Sequence, residues 1–395
     1  MSVNLMTIEQ ANVLMTAIYE QATGQDAVTP VDASNFVSIA QTTLRTGYDT
    51  VMQAISQVLA RTIFSIRPYT GQFQGVEVDE DRWGAIVRKL NFLDTPIEAD
   101  QRLTLTDGQS IDPWKVQKPK ALQTNFYGAN QYQKHITIFR DQLDVAFSNQ
   151  AEFNRFISGV MQNVMDQLEM IRENEARLAL LNMIAARHAM AVPGTLVNVL
   201  SGYNAVSGAS AANFEELFNQ DNISGFTKYL FAQIKTDSGM LKNRSVLHHA
   251  NVTGKEVMRH TPPAYQKLYM PELMFNSVDA NVLSVTYNDQ FLKLDTKETI
   301  PFWQEQRTPY EIDFKGVTMD PATGAYSDMA AAQNLNCVGI LYDRDALGIV
   351  RKSTWMEASP FNPAGGYYNL FWHVTFQSWN DLTENAIIYY APVTA

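Results

Sequence analysis

Between Asn149 and Pro193 the chain runs for more than forty residues with a single glycine, Gly159, and no proline. Asn149 followed three residues on by Glu152 is a helix-start signature. Phe153, Phe156, Ile157, Val160, Met161, Val164, Leu168 and Ile171 then recur at helical spacing, and Leu178, Leu181 and Ile184 continue the stripe. The spacing predicts one helix of about forty residues, about 60 Å long at a rise of about 1.5 Å per residue. Its opposite face carries Arg155, Asp166, Glu169, Arg172, Glu173, Glu175 and Arg177. Strict heptads do not hold over four repeats, so a spine packed on a sheet is expected rather than a coiled coil.

On the N-terminal side, residues 7–10 read as a capping box, with Ala11, Leu14, Met15 and Ile18 on one face. After a break at 23–30, Asp32 is positioned to cap a helix that buries Phe36, Val37, Ala40 and Leu44. A further stripe through Val51, Ile55, Val58, Leu59 and Ile63 stops at Pro68. These helices are amphipathic but short of charge, so each needs a partner surface, in this chain or in a neighbour. From 69 to 147 strand-like runs (73–78, 85–92, 121–127 and 135–139) surround a stretch rich in turns, with Asp94, Pro96, Asp107-Gly108, Asp112-Pro113 and Pro119. Long strands around an irregular tip describe a protruding hairpin, whose role is contact with something else.

Beyond the long helix, 192–212 is a Gly, Ala and Ser-rich connector. Segments 214–235 and 252–260 read as helices and 282–294 as extended, followed by strand patterns at 335–342, 349–356, 367–379 and 386–390. The mixture is α+β without βαβ alternation, which disfavours a doubly wound parallel sheet.

At 395 residues, length alone suggests two or three domains. Charged residues are 18% of the chain, below the ~25% typical of soluble domains, as in a protein that covers part of its surface with copies of itself. Thirty basic against forty-one acidic residues leave a net charge of −11, which argues against a chain built to wrap phosphate. The first Lys or Arg is Arg45, preceded by Glu9, Glu20, Asp26 and Asp32. That leaves no secretory n-region, no transit peptide and no basic nucleic-acid arm, so the protein is expected to stay where it is made or in something assembled there. No apolar run approaches the ~18 residues of a membrane span.

Chemistry is sparse. Phosphate-loop, dinucleotide-turn and nucleophile-elbow patterns are missing. His248 and His249 with His260 invite a metal reading, but the spacing fits ordinary polar histidines better, and no metal is expected. Cys337, the one cysteine, lies in an apolar run that reads as a buried strand. Asp79-Glu80-Asp81 lacks the ligand alternation of a calcium loop. The aromatic run 367–373 resembles a base-stacking platform, yet no Lys or Arg follows Lys352, which favours a packed sheet.

The run Cys337-Val338-Gly339-Ile340-Leu341-Tyr342 leads into the Asp343-Arg344-Asp345 turn and the Ala346-Leu347-Gly348 step. Gly366-Tyr367-Tyr368-Asn369-Leu370-Phe371-Trp372-His373, Asp381-Leu382-Thr383-Glu384-Asn385-Ala386, Ser65-Ile66-Arg67-Pro68-Tyr69 and Gly84-Ala85-Ile86-Val87-Arg88-Lys89 stand beside it. Together, and most sharply in the first, these stretches resemble the tailed-bacteriophage major capsid proteins of the Hong Kong 97-type fold. The resemblance implies an N-terminal arm (1–67), an extended β-hairpin loop (68–140), a peripheral domain with the spine helix (141–190 and 346–384) and an axial domain (191–345 and 385–395). It implies a major head protein, not an enzyme and without cofactor, that self-assembles as pentamers and hexamers into the icosahedral shell around double-stranded DNA. Its place would be the virion, assembled in the bacterial host cytoplasm.

Expected partners are further copies of itself, a separate scaffolding protein (because the arm begins at Met1), a portal, decoration proteins and non-specifically contacted DNA. Members that cross-link their subunits use a Lys and an Asn. Lys115, Lys118 and Lys120 lie in the loop without a matching pattern, so a shell held without covalent links is expected. Subunit-contact candidates are Trp114, Lys115 and Lys118 in the loop, and Phe36 and Ile55 in the arm. An encapsulin-like nanocompartment shell and, more remotely, a soluble hydrolase are the alternatives.

Overall fold

A computed structural model of the chain describes residues 8–26, 33–61, 71–78, 87–93, 97, 100, 102–114, 116, 118, 120–274, 276 and 297–393. It opens with helices α1 (Ile8–Thr23), α2 (Ala33–Arg45) and α3 (Tyr48–Arg61). Strands β1 (Val87–Leu93) and β2 (Lys120–Phe126) form a hairpin, and β3 (Asn130–Phe139) leads into α4 (Arg140–Ser148) and α5 (Gln150–Met190). Helix α5 is the long helix of 41 residues. The Asn149 side chain accepts the Ala151 N–H at 2.9 Å, satisfying one of the donors left over at a helix start. Ala191, left-handed at φ 46°, closes the other end ahead of Pro193. Gly159 lies at an exposed position of α5 with nothing within 4 Å of where a Cβ would lie, although a glycine there costs about 1 kcal/mol relative to alanine.

The remaining elements are β4 (Leu196–Asn198), α6 (Val199–Ser207), α7 (Ile223–Met240), β5 (Gln266–Pro271), β6 (Lys297–Ile300), β7 (Glu311–Phe314), β8 (Val317–Met319) and β9 (Tyr326–Asp328). Four strands end the chain: β10 (Gln333–Asp343), β11 (Leu347–Ala358), β12 (Tyr367–Asn380) and β13 (Ala386–Pro392). A mixed sheet in the order β4-β13-β10-β5-β6, with β7 also on β10, is covered on both faces. Alternation along its strands sends Tyr269, Ile340 and Ile388 towards the C-terminal half of α5, where they meet Leu180, Met183 and Ile184. Leu268, Leu341, Ile387 and Tyr389 point the other way, onto Val199, Phe226, Leu230 and Ile234 of α6 and α7.

A second sheet, β11-β12-β3, is antiparallel and lays Tyr368, Leu370 and Trp372 over the N-terminal half of α5. The same cluster holds Leu14 and Ile18 of α1, Phe36 of α2 and Ile55 of α3. The three helices therefore find their partner surface within this chain. Alternate residues of β12 face outwards, where His373 stacks on Trp355 with ring centroids 3.8 Å apart.

Some local expectations give way to context. Residues 252–260 are not helical. Gly254 is left-handed at φ 74°, and Asn251 ties the segment with Nδ2 donating to the Val246 carbonyl and Oδ1 accepting the Val257 N–H. Segment 73–78 is a 3-10 turn with a single bridge from Glu77 to Ile349, not a strand. The connector contains β4 and α6, and the expected 214–235 helix is split into a short 3-10 turn and α7. Thr7, Asp32, Pro68 and the 282–294 run lie outside the described residues.

Candidate assembly surface

The β1–β2 hairpin is in register from Val87 opposite Phe126 to Leu93 opposite Lys120. Near its base Lys89 reaches into the body of the protein. Its Nζ lies 2.9 Å from Asp381 Oδ2 and 2.5 Å from Glu384 Oε1, and donates to the Asp345 carbonyl at 3.3 Å. Both carboxylates belong to the turn between β12 and β13, in which Asp381 accepts the Thr383 N–H and hydroxyl at 2.8 and 2.6 Å. Arg259 pairs with Glu384, and the fully buried Arg187 of α5 donates to the Glu384 carbonyl. Burial pushes the Asp381 carboxyl up, but Lys89 and the Thr383 donors outweigh it, and the net direction is down. Glu384 goes the other way, because burial outweighs the help of Lys89 and Arg259. Burial also brings Arg187 down to about 10. The same end of the hairpin is held by Gln377 Nε2, which donates to the Phe126 carbonyl at 3.0 Å.

From Glu169 to Arg177 the charged side chains of α5 are buried or half-buried and hold the chain on either side of the hairpin. Arg172 bonds Glu169 at 2.6 Å and Glu77 at 3.1 Å, while Glu169 accepts the Gly71 N–H at 2.7 Å. Arg177 pairs with Glu173 at 2.6 Å and lies over the rings of Phe73 and Phe302. Glu175 accepts from Asn130 at 3.0 Å and from the Tyr132 hydroxyl. Burial and that carboxylate raise Tyr132 to about 12. Gly75 passes so close to Tyr269 and Glu298 that an added Cβ would stand 2.0 Å from Glu298 Oε1.

At the far end of the hairpin the chemistry is reversed. Trp114 is 85% exposed, Ile97 and Leu103 are each 99% exposed, and Val116 is 76% exposed. Local turns organise the described part of the tip, with Asp112 Oδ1 accepting the Trp114 N–H at 2.9 Å and Asp100 pairing with Arg102 at 2.6 Å. Lys118 is exposed there, and Lys115 lies outside the described residues.

Phe36 and Ile55 require correction: both are fully buried in the chain's own core and have no surface left for a neighbour. The apolar periodicity that singled them out was satisfied within the chain. The cluster of Lys89, Arg187, Arg259, Asp381 and Glu384 went unnoticed in the sequence. The only available signal was a pair of carboxylates wedged between two apolar strands.

The other flagged side chains are occupied structurally. His248 Nδ1 meets the Gly194 carbonyl at 2.6 Å, and His249 lies between Asn385 Oδ1 at 3.0 Å and the Val257 carbonyl at 2.7 Å. Cys337 is buried in β10, and burial pushes its thiol up, away from a nucleophile's range. Asp79-Glu80-Asp81 lies outside the described residues.

A long helix shared by two cores, with a hairpin pinned at its base and bare at its tip, is the build of a protein made to assemble with copies of itself. The family model of the Phi29-like phage major capsid protein matches residues 15–390, and the chain belongs to that family. Its structural likeness runs to a chain of the capsid structure of Staphylococcus phage Andhra, with a TM-score of 0.54 and 10% identity over 84% of this chain and 87% of that one. A chain in the structure of the head fiber and inner core protein gp22 of native bacteriophage P68 gives a TM-score of 0.52 and 10% identity over 83% and 86%. At such identity the likeness is one of fold. Curated proteins contain no match to the sequence. The protein is a structural, non-enzymatic subunit of a phage capsid shell with the mixed helix-and-sheet fold expected of it.

Proposed function

We propose that this capsid protein closes an icosahedral shell of pentamers and hexamers around double-stranded DNA, with the hairpin of each copy lying over a neighbouring copy. The observation that carries the reading is the exposed apolar tip on a firmly anchored base. Large apolar side chains at 85–99% exposure are left uncovered by the described residues, and a repeated heterologous contact between identical copies would cover them. Trp114, Lys115 and Lys118 belong to that contact.

In this reading the spine with β11 and β12 forms a peripheral unit (141–190 and 346–384), to whose sheet the loop (68–140) adds β3 at its end. The β4-β13-β10-β5-β6 sheet with α6 and α7 corresponds to an axial unit (191–345 and 385–395). The three N-terminal helices pack with the peripheral unit. A net charge of −11 suits a wall that contacts DNA without gripping it, so that a motor at a portal can move the genome inwards. A scaffolding protein and decoration proteins are further partners in this reading, with assembly in the host cytoplasm. Deleting residues 103–118 is expected to leave a folded chain that forms no shells by electron microscopy. Normal shells from the deleted chain would reject the role given to the loop.

A further inference from the structure

The described part of the hairpin tip carries Asp100, Asp107 and Asp112, and their carboxylates differ in what holds them. Asp100 accepts the Arg102 N–H and guanidinium at 3.0 and 2.6 Å, and Asp112 accepts the Trp114 N–H at 2.9 Å. Asp112 also precedes Pro113, whose nitrogen carries no hydrogen. Asp107 makes no hydrogen bond or ion pair among the described residues, and Gly108 follows it. The Gln109 N–H donates to the Thr106 carbonyl at 3.0 Å and closes a four-residue turn over the pair. Gly108 takes the third position at φ 89°, which a glycine adopts without strain. Its N–H donates to no described residue, nothing lies within 4 Å of where a Cβ would stand, and both residues are exposed.

We propose that Asp107–Gly108 is a site of spontaneous backbone isomerisation in the unassembled chain. The Gly108 nitrogen attacks Cγ of the protonated Asp107 carboxyl and closes a five-membered imide. The N–Cγ bond forms, a Cγ–O bond breaks, and the hydroxyl leaves as water with the amide proton. Water from solution then opens the ring. Addition at Cγ restores aspartate, while addition at the Asp107 main-chain carbonyl carbon leaves isoaspartate, with the backbone one methylene longer and the mass unchanged. Nucleophile and electrophile belong to adjacent residues, so the step is intramolecular and needs no cofactor.

The consequence for assembly rests on the proposed loop-over-neighbour contact. The turn lies between Leu103 and Trp114, and an added methylene displaces one from the other. Isomerised chains are therefore left out of the shell, and a tip covered by a neighbour is shielded from the reaction.

The test uses the full-length protein, kept unassembled for several weeks at neutral pH in heavy-oxygen water and then cleaved with trypsin. The peptide of residues 103–115 contains both Asp107 and Asp112, so the second is an internal control. Isoaspartate at 107, separated by chromatography and placed by electron-transfer fragmentation, is expected to exceed any at 112 by at least about tenfold and to carry a heavy oxygen. Asp107→Glu, whose side chain would have to close a six-membered ring, is expected to lose the product. No isoaspartate at 107, or as much at 112, would overturn the site.

Particles assembled from the aged chains are expected to hold about tenfold less isoaspartate than the chains left behind. An equal share in both would overturn the exclusion from shells while leaving the modification standing. If the chain lacking 103–118 forms shells, the loop contact is what fails, and the chemistry at Asp107 is untouched.

Discussion

At the base of the β1–β2 hairpin a lysine is sunk between two buried carboxylates of a distant turn, while at the tip of the same hairpin a tryptophan and several aliphatic side chains stand in water. The base follows the rules of a protein interior, where a buried charge must meet its counter-charge. The tip follows those of an interface waiting for its other half. One element thus divides its sequence between two masters, the fold of its own chain and the assembly. Substitutions at the two ends should separate those effects cleanly.

Lys89→Met should have the largest effect on the isolated chain, because it strands Asp381 without its main counter-charge. A loss of about 3–5 kcal/mol in denaturant unfolding at neutral pH is expected. The deficit should shrink on acidification. The Asp381 carboxyl lies below its ordinary value in the folded chain, so its contribution is present above about pH 4 and fades as pH falls through the depressed value. Glu384, pushed up by burial, works in the opposite sense, its penalty growing as pH rises through its raised value. A deficit independent of pH would break the account of the base.

Gly75→Ala comes next, with an expected loss of about 1–3 kcal/mol from overpacking, since the new Cβ meets Glu298 and the Tyr269 hydroxyl. Thermal unfolding equal to the wild type would show that the segment leading into the hairpin can shift aside. Asn149→Ala removes the cap of α5 and should cost about 1 kcal/mol, a reference value for a local change in the body. Trp114→Ala should change the stability of the unassembled chain by less than about 0.5 kcal/mol, yet abolish or sharply reduce particles by light scattering. A destabilised monomer would mean that the tip belongs to the fold after all, and the contrast with the base would be lost.

Legibility in the sequence follows the same division. Helix α5 could be read to within a few residues, because its cap, stripe and terminal proline all lie along one stretch of chain. Strands β10, β11, β12 and β13 were legible for the same reason, each being a continuous apolar or alternating run. Segment 252–260 carries a helical stripe, but Asn251 side-chain bonds and a left-handed Gly254, which local periodicity does not weigh, decide its conformation. Phe36 and Ile55 need cover, as their stripes indicate, and find it inside the chain. An amphipathic stripe records that a face is buried but not what buries it.

By itself the sequence determined the spine, the strand-rich C-terminal part, the exposed turn-rich tip and the lack of recognisable catalytic motifs, since each depends on residues near one another along the chain. Only the tertiary structure decided that the charges of α5 from Glu169 to Arg177 close as a clamp on the chain and that Lys89, Arg187, Arg259, Asp381 and Glu384 meet in one cluster. Many of those contacts, Lys89 with Glu384 among them, join side chains far apart in the sequence. Their energy depends on burial and mutual distance, quantities that a linear pattern does not contain.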